Sequence, residues 1–127
     1  GIRSIIYNAI KKKKLIYKGK KNAARSYIHV EDVAKACVKI IDKKYNNKYT
    51  TITGNKYIKI NKIFNLLSNY FKIPKKKIKF LNEKYTGHYN IKPTTFKSRI
   101  GKDLIIKKQK NFKESLLKLI NEIKGLN

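Results

Sequence analysis

Arg25-Ser26-Tyr27-Ile28-His29-Val30-Glu31-Asp32-Val33-Ala34 decides how the rest of the chain is read. An arginine opens a short alternating segment, and that segment runs directly into a helix with an acidic first turn. The alternation predicts a strand over Arg25 to His29. Val30, Val33, Ala34, Cys37, Ile40 and Ile41 recur at helical spacing, which predicts a helix over Glu31 to Lys43 with this stripe buried. Glu31 and Asp32 suit the positive end of its dipole, and Lys43 and Lys44 the negative end.

Upstream, Ile2, Ile5, Ile6, Ala9 and Ile10 form one helical face, closed by the basic run Lys11 to Lys14. Leu15-Ile16-Tyr17 predicts a short strand, and Gly19 to Ala24 a polar turn. Downstream, Tyr45-Asn46-Asn47 reads as a turn, and Tyr49 to Thr53 as a strand ended by Gly54-Asn55. Ile60, Ile63, Phe64, Leu67 and Phe71 predict a helix with Asn61 as its N-cap and Pro74 as its stop. Lys77 to Leu81 alternates as a strand would. Glu83 to Pro93 reads as a loop, and Thr94 to Ile100 as a short helix ending near Gly101. A last helix starts near Asn111, which pairs with Glu114 as a capping box, and carries Leu116, Leu117, Ile120 and Ile123 inward. The pattern is mixed α/β with no internal repeat and no domain boundary. Its strands are too few for an independent doubly wound sheet, so residues 1–127 are expected to be a partial domain that needs a companion sheet.

Composition narrows the classes. At 127 residues with 41% hydrophobic content the chain can build one modest core. A single cysteine, Cys37, excludes an internal disulfide and is expected to be a buried small hydrophobe in a reducing, cytoplasmic protein. No apolar run approaches bilayer length, and no secretory signal is expected. The chain opens on Gly1 rather than Met, which reads as an excised segment. A formal charge of +26 draws a protein toward polyanions, yet the cations are lysines apart from Arg3, Arg25 and Arg99. Planar, bidentate phosphate recognition favours arginine. The lysines are spread among Ile, Asn and Tyr, and runs such as Lys11 to Lys14 and Lys75 to Lys77 read as solvated helix ends and turns, so a dedicated nucleic-acid surface is disfavoured.

The stretch 25–34 resembles the R-x-(F/Y)-I-H-V-x-D-(V/L)-A signature of the extended short-chain dehydrogenase/reductases, the nucleotide-sugar epimerases and dehydratases. In that family the signature lies in the C-terminal half, where the nucleotide-sugar is held. The resemblance implies the C-terminal mixed α/β substrate-binding portion of a Rossmann-type epimerase/dehydratase, lacking the N-terminal dinucleotide-binding sheet. It also implies NAD or NADP bound by that missing half, a nucleotide-sugar substrate, and a homodimeric parent enzyme. The parent reaction oxidises a sugar hydroxyl and then returns hydride or eliminates. This fragment alone is expected to be inactive.

Arg25 is the foremost candidate site residue. A guanidinium can bridge phosphate oxygens with parallel hydrogen bonds worth about 1.5–3 kcal/mol each, and the family's arginine at this place contacts the substrate diphosphate. The competing reading is a surface arginine paired with Glu31 or Asp32. Leu15-Ile16-Tyr17-Lys18-Gly19 resembles the strand and turn that flank the nucleotide base, which makes Ile16 and Tyr17 base-packing candidates, against the reading of both as plain strand residues. Gly87 to Thr94 resembles a family loop that supplies a second basic group to the diphosphate; here only His88 and Lys92 are candidates, with Lys84 nearby and no matching arginine. His29 belongs to the signature as a structural residue, and Asp32 reads as a helix-start residue without an acid/base partner.

Catalytic, cofactor and metal residues are not expected here. The six glycines are too dispersed to form a dinucleotide turn. Tyr7/Lys11 and Tyr17/Lys21 show the four-residue Tyr/Lys spacing of the family's catalytic pair, but about two such spacings arise by chance among so many lysines. Two alternatives stand beside the enzyme reading. One is a basic nucleic-acid-binding module, which requires a clustered basic face. The other is a non-catalytic scaffold paralogue.

Overall fold

The structure, a computed structural model, describes residues 1–82, 102–104, 106 and 108–126. The sequence-predicted loop at 83–93, the short helix at 94–100, and with them Lys84, His88 and Lys92, lie outside the described residues. In chain order the elements are α1 (Ile2–Lys12), β1 (Leu15–Tyr17), β2 (Ala24–Ser26), α2 (Val30–Ile40), β3 (Thr50–Ile52), β4 (Tyr57–Lys59), α3 (Ile60–Phe71), β5 (Ile78–Phe80), β6 (Lys102–Leu104) and α4 (Phe112–Gly125). Short 3-10 turns cover Lys43–Tyr45 and Lys75–Lys77.

The chain is mixed α/β, as expected. Its described strands pair two by two: β1 parallel to β5, β2 antiparallel to β4, and β3 parallel to β6. The main core joins α1, α3 and α4 to the first two pairs around Ile6, Leu15, Ile63, Phe64, Leu67 and Ile120, all at 1% exposure or less. Phe64 stacks 4.9 Å from Phe80 and meets Tyr17 edge-on at 6.4 Å. A smaller cluster of Ala36, Leu104 and Ile106 sits where α2 packs on β3 and β6.

Three local expectations change. Asn61 does not cap α3: the N-cap is Lys59, two residues earlier, which makes no side-chain cap bond, because β4 runs into α3 without a break. Strand β4 carries no alternation strong enough to announce it; its pairing with β2 makes it a strand. Helix α3 ends at Phe71, before Pro74, because Lys72 turns left-handed at φ 52 and ψ 43.

Helix α2 also departs from its expected bounds and face. It ends at Ile40 because Asp42 starts a new turn, accepting from Lys44 N at 3.1 Å and pairing with Lys44 Nζ at 2.8 Å. The buried positions are Asp32 and Ala36; of the expected stripe Val30, Val33, Ala34, Cys37, Ile40 and Ile41, Val33 and Ile40 are half-buried and the other four are exposed. Val30, Val38 and Ile41 are 74%, 69% and 80% exposed, and Cys37 is exposed rather than buried. The helix is apolar on two faces, and tertiary packing chose the face on which a carboxylate reaches a backbone donor.

That carboxylate is Asp32, at 0% exposure. Its Oδ2 accepts from the backbone N–H of Lys110 at 2.8 Å, across 78 residues of sequence. Oδ1 has no hydrogen-bond partner among the described residues; the Lys35 ammonium 3.9 Å away and the positive end of α2 supply its field. Beside it, Gln109 clamps the β3–β4 turn, its Oε1 accepting from Asn55 N at 3.0 Å and its Nε2 donating to Thr53 O at 3.1 Å. Ser26 Oγ donates to Gly54 O at 2.6 Å in the same corner. A Cβ on Gly54 would stand 2.1 Å from Tyr27 O, so only glycine lets this turn approach the end of β2.

Replacing Asp32 by Ala strands the Lys110 N–H and should lower the thermal midpoint by about 5–15 °C, whereas Asp32→Asn, which keeps an acceptor, should cost less than half of that; thermal unfolding followed by circular dichroism checks the order. Cys37 in the native chain should react with a thiol reagent such as DTNB nearly as fast as in the chain unfolded in guanidinium, and a hundredfold slower native rate would contradict its exposed position.

Candidate functional site

Strand β1 holds Leu15 in the core and alternates Ile16 outward, 39% exposed, while Tyr17 is half-buried. Gly19 follows close enough to Tyr17 that an added Cβ would come 2.7 Å from the ring carbon Cε1. The Tyr17 ring therefore folds back over the turn, against Phe64 and Phe80, with no room for a larger residue beneath it. Antiparallel pairing sets Arg25 opposite Ile58, and Ile60 N donates to Ala23 O at 2.8 Å to extend the ladder.

These elements close around a cavity of about 250 Å³. Ile16, Tyr17 and Arg25, chosen from sequence, all line it. Ser4 and Asn8 of α1 form the facing wall, and Tyr27, Ile58 and Ile60 complete it. The sequence pattern did not mark Ser4, Asn8 or Tyr27. Ser4 and Asn8 read as the polar face of an amphipathic helix, and Tyr27 as one of nine tyrosines; its place two residues after Arg25 on the strand exit was the one available signal.

Arg25 is half-buried. Ion pairs to the nearby carboxylates are made by other groups among the described residues: Glu31 meets Lys110 and Lys118, and Asp32 meets Lys35. The pairing of Arg25 with Glu31 or Asp32 is thus not formed. Burial raises the Tyr27 phenol above its ordinary pKa, the Arg25 charge opposing this and Tyr17 adding to it. Tyr27 stays protonated through the neutral range, a hydroxyl donor beside a guanidinium. Its ring is braced by Phe112 at 5.4 Å.

His29 is the N-cap of α2, its Nδ1 accepting from Glu31 N at 3.2 Å. An imidazole nitrogen used in this way holds the helix start, in line with a structural role. Among the described residues no group of three His, Cys, Asp or Glu side chains is placed to hold a metal ion. No described helix is long and apolar enough to cross a membrane.

The cavity offers the cations Arg25 and Lys18, a protonated phenol, small polar groups on a helix wall, and an apolar edge with an aromatic ring. An anion fits at Arg25 and Tyr27, and a flat apolar group fits against Ile16 and Tyr17.

Comparison with known proteins bears on this segment. Residues 2–53 match the family model described as the NAD dependent epimerase/dehydratase family. The matched range runs from α1 through β3 and ends before the 85–104 region. No curated protein and no solved structure gives a significant match. The matched segment, which contains Ile16, Tyr17 and Arg25, is similar to the NAD dependent epimerase/dehydratase family.

Proposed function

We propose that this chain holds the nucleoside diphosphate of a nucleotide-sugar, as the substrate-binding part of an NAD(P)-dependent epimerase or dehydratase. The observation that carries this reading is the convergence of Arg25, Ile16 and Tyr17 on one cavity. Arg25 grips the phosphoryl oxygens, the Tyr27 hydroxyl donates to the same anion, and the base lies against Ile16 and the Tyr17 ring. A guanidinium among half-buried neighbours binds phosphate more strongly than one in open water, because the local dielectric is lower. Drug-sized ligands occupy roughly 300–1,000 Å³, so a cavity of about 250 Å³ takes the nucleotide end and leaves the sugar outside.

The chain's own residues do not fit a dinucleotide. Its two described strand-to-helix junctions read Tyr27-Ile28-His29 and Lys59-Ile60, without the glycine that lets a backbone approach a pyrophosphate. In this reading NAD or NADP belongs to a separate dinucleotide-binding layer, and the hydride and proton chemistry with it. The second apolar face of α2 supports such a layer: Val30, Val38 and Ile41 would lie against it. Each described strand also has a single partner, leaving edges for further pairing.

UDP or dTDP at a hundredfold excess over its dissociation constant should raise the stability of the chain by about 2.7 kcal/mol, read as a rise in thermal midpoint. Arg25→Ala should remove most of that rise, Arg25→Lys should keep a part, and Tyr27→Phe should lose a smaller share. Equal stabilisation of wild type and Arg25→Ala by the nucleotide would refute the assignment.

A further inference from the structure

The fold collects two lysine runs and two single lysines that the sequence keeps apart. Strands β1 and β5 are parallel with Leu15 opposite Ile78, so the run Lys11 to Lys14 and the run Lys75 to Lys77 enter the pair side by side. Helix α3 ends at the same pole: Lys13 Nζ lies 5.5 Å from the centre of the Phe71 ring, and Lys72 follows that ring directly. The C-terminus of α4 arrives there too, with Lys124 Nζ 4.8 Å over Tyr70, 5.4 Å from Phe71, and 3.2 Å from the Tyr70 hydroxyl. The lysines of this pole are exposed, except for the half-buried Lys14.

Helix dipoles explain part of this charge and not the rest. Three helix C-termini meeting at one place carry about −0.5 charge each, which two lysines would neutralise. Nine lysines stand there. Ion pairs among the described residues fall elsewhere, on Glu31, Asp32 and Asp42. Glu122, two residues before Lys124, turns to the other side of α4 and lines a groove beside Arg3. Two helices also end on lysine in the left-handed conformation, Lys13 at φ 46 and Lys72 at φ 52, positions where glycine would be unstrained. The pole therefore keeps a surplus of positive charge that the described protein groups do not balance.

We infer that this pole binds the phosphodiester backbone of a nucleic acid, at a site separate from the Arg25 cavity. The two lie toward opposite ends of α1, an 11-residue helix about 16 Å long. Lysines act as point charges that follow a phosphate chain without reading bases, so binding is independent of sequence and steep in salt. A membrane surface fits less well. Tyr70 and Leu126 are the pole's exposed large apolar side chains among the described residues, too little to seat in a bilayer interface.

The test uses the 127-residue chain and a fluorescein-labelled 20-nucleotide oligouridine, with anisotropy titrations between 50 and about 200 mM KCl; over this range several phosphate contacts cost roughly a hundredfold or more in affinity. Changing Lys12, Lys13, Lys75, Lys76 and Lys77 to Gln should weaken binding at least tenfold and flatten the salt slope. Changing the same five to Arg should retain binding, which separates lost charge from lost folding. A control with Lys39, Lys43, Lys56, Lys62 and Lys113 changed to Gln removes equal charge elsewhere and should weaken binding less than threefold. Equal loss in the two glutamine variants, no binding by wild type at 50 mM KCl, or stronger binding to phosphatidylserine vesicles than to the oligonucleotide would each overturn the proposal.

Discussion

Asp32 places a carboxylate where water does not reach, and much of the architecture answers to it. An ionised carboxylate removed from solvent costs several kcal/mol unless donors and positive potential surround it. The first turn of α2 provides potential, and Lys110 N provides a directed hydrogen bond. That bond fixes the rotation of α2, sends Ala36 toward β3 and β6, and turns the Val30/Cys37/Ile41 side outward. It also pins the segment before α4, from which Gln109 holds the β3–β4 turn.

The candidate site inherits its geometry from that corner. Ser26 and Gly54 lock the end of β2, β4 pairs along it, and Arg25 is thereby held opposite Ile58. Tyr17 reaches the cavity from the other side, anchored through Phe64 and Phe80. A guanidinium on a paired strand loses less freedom on binding than one on a loop, so the ordering cost is met during folding rather than by the ligand. The cavity is consequently walled by α1 on one side and by the short strands β1, β2 and β4 on the other.

Charge shows the same division between local and global causes. The lysine runs at 11–14 and 75–77 each suit a local purpose, closing a helix or solvating a turn. Parallel pairing of β1 with β5, and the shared direction of α1, α3 and α4, turn those local choices into one dense pole. A spread of lysine along the sequence says nothing of this, because parallel strands bring together residues more than sixty positions apart.

The amino-acid order alone determined the mixed α/β class, the helices at 2–12, 60–71 and 112–125, the cap at Asn111, and the choice of Arg25, Ile16 and Tyr17, which line one cavity. Those features rest on short-range periodicity, capping chemistry and a contiguous motif, which are legible without contacts. Tertiary structure decided which face of α2 is buried, that Cys37 is exposed, that residues 57–59 form a strand, and that Ser4, Asn8 and Tyr27 share the cavity. A helix apolar on two faces has no preferred side until a distant donor claims its carboxylate, and a three-residue strand has no signal beyond the partner that completes its hydrogen bonds.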